Sequence, residues 1–64
     1  MEFQDYFVLE VYNRKNPDKV LNRYFYDTYA EARANFDRRK GRGDLARLTL
    51  TTCQGQLVDE WIRK

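Results

Sequence analysis

Apolar and polar residues alternate in four stretches of this chain and recur at helical spacing in a fifth. "FQDYFVLEVY", Phe3–Tyr12, is rich in aromatic and β-branched residues and predicts a strand. Successive strand side chains point to opposite faces, so Phe7, Leu9 and Val11 share one side; Tyr6, Val8, Glu10 and Tyr12 share the other. "NRKNPDK" follows, with Pro17 among several turn formers, and predicts a hairpin loop. A second strand is expected over Val20–Tyr26. There Leu21 and Phe25 are assigned to the inner face; Val20, Asn22, Tyr24 and Tyr26 are assigned to the outer one.

Asp27-Thr28-Tyr29-Ala30-Glu31 predicts a helix start. Thr28 and Glu31 stand at the spacing of a capping box, and Asp27 suits the positive helix end. Ala30, Ala32 and Ala34 favour continuation, and Tyr29, Ala32 and Phe36 form one narrow apolar stripe beside the stem of Arg33. Beyond the helix, "LARLTLTT" alternates with Ala46, Leu48 and Leu50 inward and Arg47, Thr49 and Thr51 outward. "CQGQ" is a turn in which Gly55 suits a positive φ, and Leu57–Arg63 is the last strand. In that strand Leu57, Asp59 and Trp61 compete with Val58, Glu60 and Ile62 for the inner face, and a bulge would reconcile them.

These elements predict an α+β fold in the order ββαββ: a four-stranded antiparallel sheet with one α-helix packed on one face, in a single small domain spanning 1–64. One helix about 10 Å wide covers one sheet face only. The uncovered face is expected to carry Tyr6, Tyr12, Tyr24, Tyr26 and Arg47, with Trp61 a further candidate. Tyr and Arg on a rigid surface are enriched at protein interfaces, because they bury large areas at low entropic cost. Such a face is either solvated, covered by another protein, or paired with its copy in a homodimer. On this assignment Tyr24→Ala and Tyr26→Ala are expected to weaken partner capture without unfolding the domain.

Size narrows the function classes. A chain of 64 residues buries only about 60% of its unfolded surface and retains about 3–5 kcal/mol of net stability. An enclosed catalytic cavity is hard to carve from so small a core. The chain has no histidine and no serine, which removes Ser-His and Cys-His nucleophile pairs and the imidazole base. One thiol, Cys53, cannot assemble a structural zinc site. Asp59 and Glu60 are sequence neighbours on a strand and point apart. Gly41 and Gly43 follow a helix rather than open one, so no phosphate loop is present. The chain is expected to be non-catalytic, with no cofactor and no metal. A lone cysteine, with neither a long apolar run nor a signal pattern at Met1–Leu9, places the expectation in the cytoplasm, away from membranes.

Charge adds one open question. Twelve basic side chains oppose ten acidic ones, too balanced to indicate nucleic acid without clustering. The densest cluster is "RRKGRGD", residues 38–44. As a helix end it is fully explained: Arg38, Arg39 and Lys40 complement the negative dipole end, and Gly41 follows them. As a nucleic-acid contact the cluster, Arg42 included, would combine with Arg14, Lys15 and Lys19 of the hairpin loop and with Arg47 of the third strand, against dilution by Asp18, Asp37 and Asp44. "RLTLTT" lacks the stacking rings of RNA-binding sheets. The Arg-Gly-Asp triplet is set aside as an adhesion signal, since nothing suggests secretion.

In size and element order the chain resembles many small phage and mobile-element accessory proteins, some of which block host enzymes or defence complexes by occupying a surface. The resemblance covers architecture alone and carries no site residues across. It implies an inhibitor-type, protein-binding module acting on a larger host enzyme or nucleoprotein complex. The alternative is a nucleic-acid-binding domain using the basic helix end and hairpin loop.

Overall fold

In the computed structural model, which describes residues 5–63, the chain runs β1 (Phe7–Asn13), β2 (Val20–Tyr26), α1 (Tyr29–Arg39), β3 (Leu45–Thr52) and β4 (Leu57–Ile62). Of the first expected strand, Phe3 and Gln4 lie outside the described residues, while Asp5 and Tyr6 precede β1. The strands form one antiparallel sheet in the order β2-β1-β3-β4, and α1 lies across β2, β1 and β3 on one face. The ββαββ expectation is met. β1 and β3 are central, so the hairpins β1–β2 and β3–β4 each send one strand to an edge.

Local chemistry sets the helix ends. Thr28 has an extended backbone, and its Oγ1 accepts from the Glu31 N–H at 3.2 Å, so the N-cap half of the expected box is present. At the other end Gly41 takes φ +79°, open to glycine at little cost, and the Arg42 N–H closes back on the Arg39 carbonyl. Gly55 likewise has φ +86° in the β3–β4 turn.

The core lies between helix and sheet. Phe36, Ala32, Leu9, Leu48 and Leu50 are fully buried, with Val11 and Leu45 nearly so. Phe7, Tyr24, Tyr26 and Trp61 pack around this cluster.

Here the facing assigned from the sequence is corrected for Tyr24, Tyr26, Phe25 and Trp61, and for Asn22, which pairs with core Val11 and so lies on the helix side. Tyr24 pairs with Leu9 and Tyr26 with Phe7, so both tyrosines share the helix side with those core residues. Phe25 pairs with Val8 and points to the uncovered face. Trp61 pairs with Leu48 and also belongs to the helix side. The physical reason is that "VLNRYFY" is apolar or aromatic in both phases, so alternation alone cannot choose a face. Pairing with β1 chooses it, and a tyrosine at the core margin buries its ring while its hydroxyl reaches water.

Irregular pairing accounts for the remaining differences. A register shift between Tyr12 and Asn13 sets Leu45 opposite Asn13, so Leu45 rather than Ala46 completes the buried row of β3. Another shift, opposite Leu50 and Thr51, inserts Val58 into β4 and resolves its competing phases.

Phe36→Ala is expected to remove about 3–5 kcal/mol, comparable to the whole reserve of a domain this small. Urea unfolding followed by circular dichroism should find that variant largely unfolded, and Tyr26→Ala with a lowered midpoint.

Candidate functional site

Cross-strand register arranges the uncovered face in three rows. Phe25, Val8, Thr51 and Leu57 form the first; Arg23, Glu10, Thr49 and Glu60 the second; Val20, Tyr12, Arg47 and Ile62 the third. Tyr6 extends the first row, its ring edge-on to Phe25 at 5.9 Å between centroids and 64° between planes. Phe25 is 62% exposed and Leu57 57%. Such exposure is high for residues whose partners across the sheet are half-buried.

Two ion pairs cross the strands here, one within the second row and one joining Arg47 of the third row to Glu60 of the second. Arg23 donates to Glu10 Oε2 from Nε at 3.1 Å and from Nη2 at 2.8 Å. Arg47 Nε donates to Glu60 Oε2 at 2.7 Å, and its guanidinium lies 5.1 Å from the centre of the Tyr12 ring. Two cations meet two carboxylates, leaving the face without net charge from these residues. Thr49, between Glu10 and Glu60 across the strands, is buried on this uncovered side. The Thr49 hydroxyl has no hydrogen-bond partner there.

Of the six side chains expected on this face, Tyr6, Tyr12 and Arg47 stand on it. Tyr24, Tyr26 and Trp61 do not. Tyr24 lies under the Arg39 guanidinium at 4.4 Å, and Trp61 under that of Arg63 at 5.3 Å. Phe25, Ile62 and Arg23 replace them. A signal for these was present in the sequence: matching outward Glu10 to Arg23 would have turned Arg23, and with it Phe25, outward.

Three of the four basic side chains of residues 38–44, those of Arg38, Arg39 and Lys40, are engaged locally, whereas Arg42 takes part through its backbone. Arg38 and Arg39 both donate to Asn35 Oδ1, at 2.5 and 3.2 Å. Lys40 pairs with Asp37 at 3.1 Å and lies 4.9 Å from the Phe36 ring centre. From the hairpin loop, the Arg14 N–H donates to the Asp44 carbonyl at 3.0 Å and Arg14 Nη1 to the Gly43 carbonyl at 3.1 Å. The neighbouring Lys15 N–H donates to Asn13 Oδ1 at 2.8 Å. The two basic loops therefore touch, while Arg38 and Lys40 turn back onto the helix and Arg39 lies between the helix and the Tyr24 ring of β2. Cys53 Sγ lies 4.0 Å from Asp5 Oδ1 in the β3–β4 turn.

One further ion pair ties the helix to the sheet edge. Arg33 Nη1 lies 2.5 Å from Asp59 Oδ2, and Arg33 Nε 3.4 Å from Asp37. The hydrogen bond from Arg33, helped by the Glu60 N–H, holds the Asp59 carboxyl below its ordinary value.

No helix among the described residues is long and apolar enough to cross a membrane, and no group of three metal-ligating side chains gathers there. The chain matches no protein-family model, no curated protein and no solved structure.

Two outcomes follow from this geometry. Thr49→Val keeps the shape and removes an unpaired buried hydroxyl, so urea unfolding should show a gain of about 1 kcal/mol. Because the Asp59 carboxyl is lowered on folding, its pairing stabilises above the ordinary aspartate value of about 3.9 and is lost as pH falls through the folded value. Asp59→Asn should therefore be less stable than the parent near neutrality and lose less on acidification, as urea midpoints across that pH range will report.

Proposed function

We propose that this chain is a non-catalytic protein-binding module whose partner docks on the open sheet face. The observation that carries this is the solvent-facing Phe25, braced edge-on by Tyr6 beside Val8 and Leu57, on the side opposite the helix. Rigid aromatic rings of this kind lose little entropy on docking and make up much of the binding energy at protein interfaces. The crossed ion pairs support the same conclusion. With Arg23 matched by Glu10 and Arg47 by Glu60, the face offers a phosphate backbone no surplus positive charge. A protein surface of mixed polarity suits it better.

The finer function we propose is inhibition by occupancy: a small domain lying on a larger enzyme or nucleoprotein complex and blocking a working surface. It is supported by the small size and by the lack of histidine and serine, which leave the chain little to contribute except its surfaces.

Phe25→Ser tests the face directly. It removes an exposed ring, so stability should stay within about 0.5 kcal/mol, while loss of a hot-spot ring should weaken capture of the partner at least roughly tenfold. Quantitative pull-down with the full chain, using Ala34→Ser on the exposed side of α1 as a control, reads the difference. Capture that survives Phe25→Ser unchanged would overturn the assignment. Sedimentation at several concentrations separates a second copy of the chain from a foreign partner, since only self-association depends on this protein's own concentration.

A further inference from the structure

The open face does not end at its third row. Next to Arg47 and Ile62 it continues into a cleft of about 560 Å³ that Arg14, Pro17, Asp18, Ala46 and Arg63 also line. Three guanidiniums from three separate segments thus meet one concave surface: the hairpin loop, β3 and the residue just past β4.

Two of them are held in an unusual way. Arg63 Nε donates to the Leu45 carbonyl at 2.7 Å, and its Nη2 donates to the Arg42 carbonyl. Arg14 Nη1 donates to the Gly43 carbonyl. Among the described residues neither Arg14 nor Arg63 forms an ion pair with a carboxylate; the five ion pairs involve Arg23, Arg33, Lys40 and Arg47. A carbonyl oxygen fixes a guanidinium without neutralising it, and each guanidinium carries five N–H donors, most of them left over here. Fixed, unneutralised forks are pre-organised for an anionic oxygen pair.

We infer that this cleft receives an acidic segment of the protein partner, a Glu or Asp side chain flanked by apolar residues, docking beside the open face. The inference rests on the protein-binding function proposed above. Pro17, Ala46 and Ile62 supply apolar lining between the cations, which a carboxylate on a hydrophobic segment matches. A nucleic-acid strand fits less well. No aromatic ring is among the residues that line the cleft, so it offers no platform for base stacking. Asp18 in the lining opposes any anion, so the cleft suits a single carboxylate rather than a run of phosphates.

The test is a residue-resolved NMR titration of the full chain, following backbone amides and arginine Nε–H signals. Three probes are compared at low and near-physiological salt: a short Glu/Leu peptide, its Gln/Leu counterpart, and a single-stranded DNA of matched charge. Saturable shifts at Arg14, Arg47 and Arg63 with the Glu/Leu peptide only are expected. Arg14→Glu, a loop substitution, should weaken that binding roughly tenfold or more, and Arg14→Lys should restore part of it. Shifts with DNA alone, equal shifts with the Gln/Leu peptide, or none with any probe would each overturn the cleft assignment. Partner capture that still depends on Phe25 in such a case leaves the open-face function standing, so the two failures are distinguishable.

Discussion

Phe36 is the one large side chain that the helix drives into the sheet, and the rest of the fold is arranged around it. Its ring is fully buried among Leu9, Leu48 and Leu50. Arg33 and Lys40 lie beside the same ring, at 5.4 and 4.9 Å from its centre. Their charges then turn outward to Asp59 and Asp37. Cation stems thus finish what an eleven-residue helix with two buried side chains cannot cover by apolar area alone. The outer margin of that face, beyond the reach of the helix, is filled by Trp61 and closed by the Arg33–Asp59 pair.

With only one helix, the opposite sheet face has to be stable in water without a lid. The chain meets this with long, oppositely charged side chains that bridge neighbouring strands around the buried, central Thr49. Cross-strand pairs of opposite charge add modestly to sheet stability and also oppose a slipped register, which would place like charges together. Apolar surface is confined to the ends of the face, and the end bearing Tyr6 and Phe25 carries two exposed rings. Both edge strands contain an extra residue, in β2 opposite Val11 and Tyr12 and in β4 opposite Leu50 and Thr51. Bulged edges are poor templates for adding further strands, which favours docking on the face over pairing at the edge.

The segment 38–44 has a structural part that charge alone does not suggest. Its carbonyl oxygens matter as much as its cations. Those of Arg42 and Gly43, with that of neighbouring Leu45, receive Arg63 and Arg14 from opposite ends of the chain. The helix stop therefore also serves as the socket that brings the hairpin loop and the end of β4 to one place. Gly41, at φ +79°, turns the chain out of the helix, which leaves those carbonyls free to accept from the two arginines.

The five elements and their order were legible in the sequence, because strand alternation, helical spacing, the Thr28 cap and Gly41 are local signals that agree with one another. The uncovered face was legible as a consequence, since one helix cannot cover two sides of a sheet. Tyr6, Tyr12 and Arg47 were placed on it correctly because β1 and β3 have one clearly apolar phase. Tyr24, Tyr26 and Phe25 were not, because both phases of β2 carry large apolar rings. Their facing is decided by which residue of β1 each one meets, a long-range choice governed by Leu9, Phe7 and the Glu10–Arg23 pair. Bulges decided the facing of Leu45 and of β4 for the same reason: an inserted residue changes phase only relative to a partner strand. The convergence of Arg14, Arg47 and Arg63 on one cleft is likewise a product of tertiary structure, since these residues are far apart in the chain and meet only where backbone carbonyls hold Arg14 and Arg63 and the Glu60 carboxylate holds Arg47.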